Sequence, residues 1–560
     1  MLNKLTTTAG ETLRGTPWAV YPRPQMKREN WLNLNGAWEF SVDYEKKGSI
    51  RVPFCPESTL SGIGTHFDEG SILCYNRTFC LPEGWNTGRV LLHVGAADQR
   101  ADVFVNGKPA GTHKGGYEAF SFDITALLKE ENYLQVCCFD DLEDQSYPYG
   151  KQTLSRGGMW YTPVSGIWQS VWLEHVPEKY IEKLHIENRG CSVKISIEPA
   201  LDGIVHVAEL GSFRLENGAV TVTPEKPHLW SPEDPYLYDF TVEAGEDRVE
   251  SYFAIRSLEV KKVGKYPRLC LNGKPYFFHG LLDQGYWPDG IFTPAMPQCY
   301  ADDILAMKKL GFNTLRKHIK VEPEEFYYQC DKLGMIVFQD MVNNGDYNFL
   351  RDTALPTVGI QKLDDRKLHS DEMGRKRFLE GMEATVRQLK NHPCICYWTI
   401  FNEGWGQFDS DNVYEQLRKL DDTRFIDSTS GWFRRKKTDV DSRHVYFRKV
   451  KLAGDGVKPL VLSEFGGKTF KVEGHVFNPD KSYGYGGCDS LEALNEAVEK
   501  LYLEEVLPCV GNGLCAAIYT QVSDVEDEIN GLVTYDRKVE KMNPEKMLPI
   551  AAALQQAVAE

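Results

Sequence analysis

Cys396-Tyr-Trp-Thr-Ile-Phe-Asn402-Glu403-Gly-Trp-Gly406 is an apolar run that ends in an amide and a carboxylate, with Gly404 and Gly406 breaking the chain behind them. Pro459-Leu-Val-Leu-Ser463-Glu464-Phe-Gly466-Gly467 repeats the plan further on. Both read as buried strands that deliver an ionisable group at their C-terminal ends. From about residue 259 onward such runs end near Gly280, Arg316, Asp340, Asn402, Asp427, Tyr446, Glu464 and Tyr519, eight in all. Helical periods fit between several of them. In Arg375–Leu389 the residues Phe378, Leu379, Met382, Val386 and Leu389 recur at helical spacing, and Pro393 follows. Val498, Leu501, Leu503 and Val506 form a second such set. Strands alternating with helices mean a parallel α/β domain. Eight strand–helix units over residues 259–560 predict a (β/α)8 TIM barrel, typically ~250 residues long. A doubly wound sheet is the alternative, but no Gly-x-Gly-x-x-Gly follows a strand.

Upstream the texture differs. Residues 1–178 read as short strands and turns, among them Val90-Leu-Leu-His-Val, Ala101-Asp-Val-Phe-Val and Tyr133-Leu-Gln-Val-Cys-Cys-Phe, with a tight turn at Asn106-Gly107. That composition predicts a β-sandwich. Residues 179–258 hold further alternating runs, at Lys194-Ile-Ser-Ile-Glu, Ala219-Val-Thr-Val and Tyr238-Asp-Phe-Thr-Val, and their length suits one small immunoglobulin-like sandwich.

In a (β/α)8 barrel the reactive side chains stand at the C-terminal strand ends. Glu403 and Glu464 fall on candidate strands four and seven, whose ends can face each other across the mouth. Two carboxyl groups in one cleft suit glycosidic bond cleavage, one protonated to assist the leaving oxygen and one ionised to attack the anomeric carbon. Proximity and burial push their pKa values apart and so fix the roles.

The balance of charge narrows the partners. Acidic residues outnumber basic ones 80 to 64, a net charge of −16, which disfavours nucleic acid and anionic membrane surfaces. No segment supplies the ~20 apolar residues of a membrane span, and the Met1-Leu-Asn-Lys-Leu start lacks the apolar stretch of a signal peptide. The 14 cysteines show no Cys-x-x-Cys and no paired framework, which predicts free thiols in a reducing cytoplasm. Twelve tryptophans must be largely core, although flat aromatic faces also stack on sugar rings.

Taken in order along the chain, these motifs resemble glycoside hydrolase family two, the family of β-galactosidases, β-glucuronidases and β-mannosidases. Asn106-Gly-Lys, Gly115-Gly-Tyr, Phe122-Asp-Ile-Thr and Ser165-Gly-Ile-Trp168-Gln-Ser-Val-Trp are similar to its N-terminal sugar-binding jelly roll. Pro227-His-Leu-Trp230-Ser-Pro-Glu-Asp-Pro-Tyr resembles its immunoglobulin-like middle domain, and Leu271-Asn-Gly-Lys-Pro the entry to its barrel. Asn402-Glu403-Gly-Trp and Ser463-Glu464-Phe-Gly match its acid/base and nucleophile motifs. The resemblance implies Glu403 as acid/base, Glu464 as nucleophile, Asn402 as partner of the sugar 2-hydroxyl, and Tyr446 as the group that orients the nucleophile.

Several family positions are altered. Arg316 carries over from the motif after strand two, which here reads Arg316-Lys317-His318-Ile319-Lys320. Leu282-Asp283-Gln284 replaces an Arg-His-Glu-like run, which makes Asp283 a candidate sugar ligand. Tyr519 stands where relatives carry a sugar-floor tryptophan. The Glu-x-His of metal-binding β-galactosidases is missing after strand three, so no metal and no cofactor is expected. Asp524–Arg537 also lacks the Asn-x-Lys with which β-glucuronidases hold the substrate carboxylate. Arg434-Arg435-Lys436-Lys437, close to Trp432, is either a solvated loop or a carboxylate clamp built from a different place. The expectation is a three-domain retaining exo-β-glycosidase for a galacto-configured glycon, galactoside or galacturonide. A β-glucuronidase or other family-two activity is the alternative within the family, and a catalytically silent carbohydrate-binding protein the alternative outside it. The substrate is a carbohydrate; a homo-oligomer is left open.

Overall fold

The structure, a computed structural model, describes residues 2–357, 360 and 364–560. Eight parallel strands form the barrel: strand one Phe278–Asp283, two Thr314–Lys317, three Ile336–Asp340, four Ile395–Asn402, five Phe425–Ser430, six Asp441–Val445, seven Leu460–Gly466 and eight Leu514–Thr520. Hydrogen-bonded neighbours run five-four-three-two-one-eight-seven-six. Strands five and six meet at the remaining seam through side chains, Ser430 Oγ lying 3.4 Å from Ser442 Oγ. Strands three, four, five and eight are buried at every residue, which is why they read as unbroken apolar runs.

Helices Gln298–Lys309, Glu324–Leu333, Glu372–Leu389, Ser410–Leu420, Leu491–Leu501 and Pro544–Ala559 cover the barrel. Glu372–Leu389 is capped by the Asp371 carboxylate, which accepts from the N–H groups of Met373 and Gly374. Its inner face carries Phe378, Met382, Val386 and Leu389, and Phe378 stacks on Phe401 of strand four at 4.9 Å. Two expectations are corrected. Among the described residues no helix follows strands five or six, so the strand–helix alternation lapses there. Residues 431–440 are too few for a helical crossover, and Gly454, Gly456 and Pro459 break residues 446–459. After Leu491–Leu501 the chain widens into one π-helical stretch, Tyr502–Val506, which turns Leu503 outward (44% exposed) while Tyr502 and Val506 stay buried.

Ahead of the barrel lie two sandwiches. The first packs a six-stranded sheet against a four-stranded one around Trp38, Phe40, Tyr75, Leu92 and Val136. Asn106 and Gly107, both at positive φ, make the tight turn between Arg100–Val105 and Lys108–Lys114. Cys74 and Cys137 stand opposite each other on paired antiparallel strands and form a disulfide, so the expectation of free thiols throughout is corrected. Sequence spacing did not reveal the pair because strand register, not separation along the chain, brings the two together. The second sandwich pairs a three-stranded with a four-stranded sheet. It docks near the N-terminal end of strand four, where Arg256 donates to the carbonyls of Pro393 and Ile395 and Trp230 Nε1 donates to Asp331 O. The first sandwich reaches the other end: the N–H groups of Tyr149 and Gly150 bond Asn343 O, beyond strand three.

Candidate active site

Strand four ends at Asn402, and Glu403 turns out of it at φ +50°. Gly404 follows at φ +82°, where a side chain would overlap the Phe433 ring, so the break behind the carboxylate requires glycine. Glu403 Oε1 lies 2.7 Å from His444 Nδ1, and the other ring nitrogen of His444 lies 3.0 Å from Ser430 Oγ. Across the mouth, Glu464 on strand seven accepts from Arg316 Nη1 at 2.9 Å and from the Tyr446 hydroxyl at 2.6 Å. His444 Nδ1 is 3.6 Å from Glu464 Oε2, and one oxygen of each glutamate lies within 4.8 Å of the other and of the imidazole. Among the described residues this trio is the group spaced to hold a metal ion, but its atoms are engaged with one another and with Arg316 and Tyr446.

Arg316 is the hub. Its guanidinium is 1% exposed and donates to both oxygens of Asp340 (2.9 and 3.1 Å), to Ser463 O (3.1 Å), to Glu464 and to Asn402 Oδ1 (2.9 Å). Binding Asn402 through its oxygen turns the amide nitrogen the other way, and that buried Nδ2 has no protein partner. Asp340 also takes His318 Nδ1 at 2.7 Å. Burial alone would raise the Glu464 carboxyl; the His444 imidazole, the Arg316 guanidinium and the Tyr446 hydroxyl overcome it and hold the group at about 2. Burial, helped by the charge of Lys151, pulls His318 down to about 4 against its bond to Asp340. The site therefore holds an ionised carboxylate on strand seven, a second carboxyl just past strand four hydrogen-bonded to an imidazole, and a free amide donor on Asn402.

Of the residues singled out in the sequence, Glu403, Glu464, Asn402, Arg316 and Tyr446 come together. Tyr446 is further braced by Thr520 Oγ1 at 2.8 Å and by stacking on Tyr485 at 4.0 Å. Trp432 stands beside them, edge-on to His444 at 5.6 Å, with its Nε1 buried and unpartnered. Three residues do not join. The Asp283 carboxylate is taken by Lys317 Nζ (2.6 Å) and by Gly285 N–H (2.9 Å). Tyr519 is wholly buried against Phe465 and Tyr502, and its hydroxyl accepts from Lys468 N–H, so it offers no face to a sugar. Arg434 is half exposed and forks Asp441 at 3.2 and 2.8 Å. Asp441 opens strand six, the end remote from Tyr446, so of the two readings of this loop the placement of Arg434 favours the solvated one over the carboxylate clamp.

His444 and His318 are not among the residues the sequence singles out, yet each sits two residues from one that is, Tyr446 and Arg316, and alternate residues of a strand share a face. The aromatic wall of Trp160, Tyr347 and Trp405 left no such signal. Trp160 stacks on Trp405 at 5.2 Å although the two come from different domains.

Comparison with known proteins agrees with this geometry. Residues 262–541 match the model of the glycosyl hydrolases family 2 TIM barrel domain, residues 63–177 that of the family 2 sugar binding domain, and residues 182–256 a third glycosyl hydrolases family 2 model. A β-galactosidase of Thermoanaerobacter pseudethanolicus is 24% identical over 426 residues, covering 70% of this chain and 53% of that protein. A β-glucuronidase of Bacteroides fragilis is 24% identical over 419 residues, covering 69% and 58%. The chain thus spans little more than half the length of these two relatives. The solved structure of a β-D-glucuronidase from Dictyoglomus thermophilum superposes with a TM-score of 0.72 at 21% identity, covering 96% of this chain and 98% of that one, a likeness of fold.

Proposed function

The chain belongs to glycoside hydrolase family 2, and from that premise we propose that it is a retaining exo-β-glycosidase acting on a terminal, galacto-configured sugar. The observation that carries the reading is the Glu403–Glu464 pair, with carboxyl oxygens within 4.8 Å of each other. Carboxyl groups ~5–5.5 Å apart leave no room for a water between them and the anomeric carbon, which is the retaining arrangement; inversion needs ~6.5–9.5 Å. Glu464, held ionised, attacks the anomeric carbon while Glu403 delivers its proton to the leaving oxygen. Glu403 then takes a proton from the water that releases the sugar. His444, bonded to Glu403, fixes that carboxyl in place through both changes of charge. Asn402 Nδ2, unpartnered and turned away from Arg316, suits a bond to the sugar 2-hydroxyl.

The galacto configuration is supported by the absence of an Asn-x-Lys in Asp524–Arg537; the likeness to a β-galactosidase and to a β-glucuronidase is equal and does not choose between them. With Arg434 turned onto Asp441, a neutral β-galactoside is the first substrate and a β-galacturonide the second. A panel of aryl β-glycosides, with the first-formed sugar followed by NMR, tests the reading. The expected result is turnover of the galactoside with β-configured product and labelling of Glu464 by a 2-fluoro glycoside. First-formed α product overturns the mechanism, and turnover of glucosides or glucuronides alone overturns the glycon.

A further inference from the structure

Lys151 belongs to the first sandwich, but its side chain enters the barrel mouth. The backbone beneath it is fixed on every side. Tyr149 and Gly150 bond Asn343 O, and Lys151 O accepts from Tyr161 N–H at 3.0 Å. Gln152 is held by Asp98 (3.2 Å), by the Tyr117 hydroxyl (3.1 Å) and by Val164 N–H (2.6 Å). Gly150 adopts φ +67°, and a Cβ there would stand 3.0 Å from both Ile319 O and the Tyr117 hydroxyl. The loop therefore presents Lys151 in one place.

The side chain is 7% exposed, and its ammonium lies over the rings of Tyr161 (5.5 Å) and Trp405 (5.7 Å). Among the described residues no carboxylate or carbonyl comes within hydrogen-bond or ion-pair reach of Nζ. Other buried lysines of the barrel are matched. Lys317 pairs with Asp283 and Glu322; Lys320 has Glu322 and two carbonyls; Lys541 has Asp524 and Ile529 O. Burial pulls the Lys151 ammonium below its ordinary range, against the fields of Glu528, Glu464 and Glu403. The residue is nine-tenths buried while its ammonium finds no acceptor in the protein, so its donors are left for a molecule in the mouth, and two of the three carboxylates it senses are the pair that would flank the sugar.

Resting on the glycosidase reading above, we propose that Lys151 is a glycon-binding residue whose ammonium donates to hydroxyl oxygens of a neutral sugar held between Glu403 and Glu464. Glu528 favours hydroxyls over a carboxylate. It is buried (2% exposed), takes the hydroxyl of Tyr161 and the amide of Asn530, and is the leading charge acting on Lys151. A uronate brought to Nζ would enter the combined field of Glu528 and Glu464; a hydroxyl brings no charge.

The test is kcat/KM on aryl β-galactoside, its 2-, 3-, 4- and 6-deoxy analogues and aryl β-galacturonide, for wild type and Lys151→Met. Methionine keeps much of the stem that packs on Tyr161 and Trp405 and removes the donors. The expected loss on the parent galactoside is about 10–200-fold, the range of a hydrogen bond from a charged group. It should shrink to within about threefold on the deoxy analogue that lacks the contacted hydroxyl. Equal losses across the deoxy series would make Lys151 a packing residue, and no loss would remove it from the subsite; either overturns the proposal. A loss confined to the galacturonide overturns it in favour of a carboxylate clamp. If the wild type hydrolyses no β-glycoside, the glycosidase reading has failed and this one with it; with wild-type turnover intact, the deoxy series judges Lys151 alone.

Discussion

Tyr446→Phe removes one hydroxyl and leaves the ring on Tyr485, so it isolates what that hydroxyl does for Glu464. The hydroxyl donates to Glu464 Oε2 at 2.6 Å, while Arg316 remains on the other oxygen at 2.9 Å. A hydrogen bond to a charged group contributes about 1.5–3 kcal/mol, and one pKa unit is about 1.4 kcal/mol, so its loss raises the carboxyl by roughly one to two units. From about 2 in the wild type the group moves to roughly 3–4. Because the folded value is depressed, the charge on Glu464 contributes stability above the unfolded carboxyl value, and that contribution is lost as pH falls through the folded one. The variant is therefore less stable than wild type at pH 7 by about 1.5–3 kcal/mol, and the gap closes as pH drops from about 4 towards 2. The acid limb of kcat/KM on an activated aryl glycoside moves up by the same one to two units. At pH 7 Glu464 is ionised in both proteins, so any loss of kcat there reads orientation of the nucleophile. The assays are pH–rate profiles and urea unfolding on both proteins. An unmoved acid limb together with a stability gap independent of pH would refute the coupling between Tyr446 and the charge on Glu464.

Glu403→Gln should cost alkyl glycosides about 10²–10⁴-fold in kcat/KM and dinitrophenyl glycosides far less, because only the former need a proton on the leaving oxygen; a flat dependence on leaving-group pKa contradicts the acid/base role. Arg434→Ala should leave kcat/KM within about twofold on galactoside and galacturonide alike, since this half-exposed side chain serves Asp441; a selective uronide loss would restore the clamp. Gly404→Ala forces a methyl into the Phe433 ring at positive φ, and should lower both thermal stability and turnover, whereas a fully active variant would show that the turn has room to relax. Thiol titration of the unfolded, unreduced chain should count 12 of the 14 cysteines; counting all 14 would deny the Cys74–Cys137 bond.

What could be read in the sequence was whatever is local and doubly buried. Each barrel strand is enclosed on both faces, so its run of apolar residues stands out without reference to its neighbours, and the carboxylates at Glu403 and Glu464 are visible as the first charges after such runs. The helices were less legible because a helix shows only one face to the core. The set ending at Val506 lost its phase where the π-helical stretch inserts an extra residue into the turn, and nothing in Tyr502-Leu-Glu-Glu-Val announces that. The missing helices after strands five and six follow from counting residues between strand ends, a constraint of reach and not of composition.

Direction is harder to read than position. Asp283 and Tyr519 stand at positions where the family carries sugar ligands, and Arg434 lies in a basic loop near Trp432, and the sequence offers all three to the site on those grounds. The lysine paired with it on the neighbouring strand two claims Asp283, an aspartate at the opposite end of strand six claims Arg434, and the tight packing of Gly466 against Tyr519 seals that ring into the core. Each competitor is another polar or apolar surface that satisfies the side chain elsewhere, and a linear sequence cannot weigh it. Lys151 is the converse. It lies in a loop of a different domain, far in sequence from any barrel strand, with no periodicity around it, and what marks it is a negative property of the fold: the lack of an acceptor among the described residues. Matched lysines, however deeply buried, explain themselves within the protein; Lys151 points outward, to the molecule that the mouth is shaped to hold.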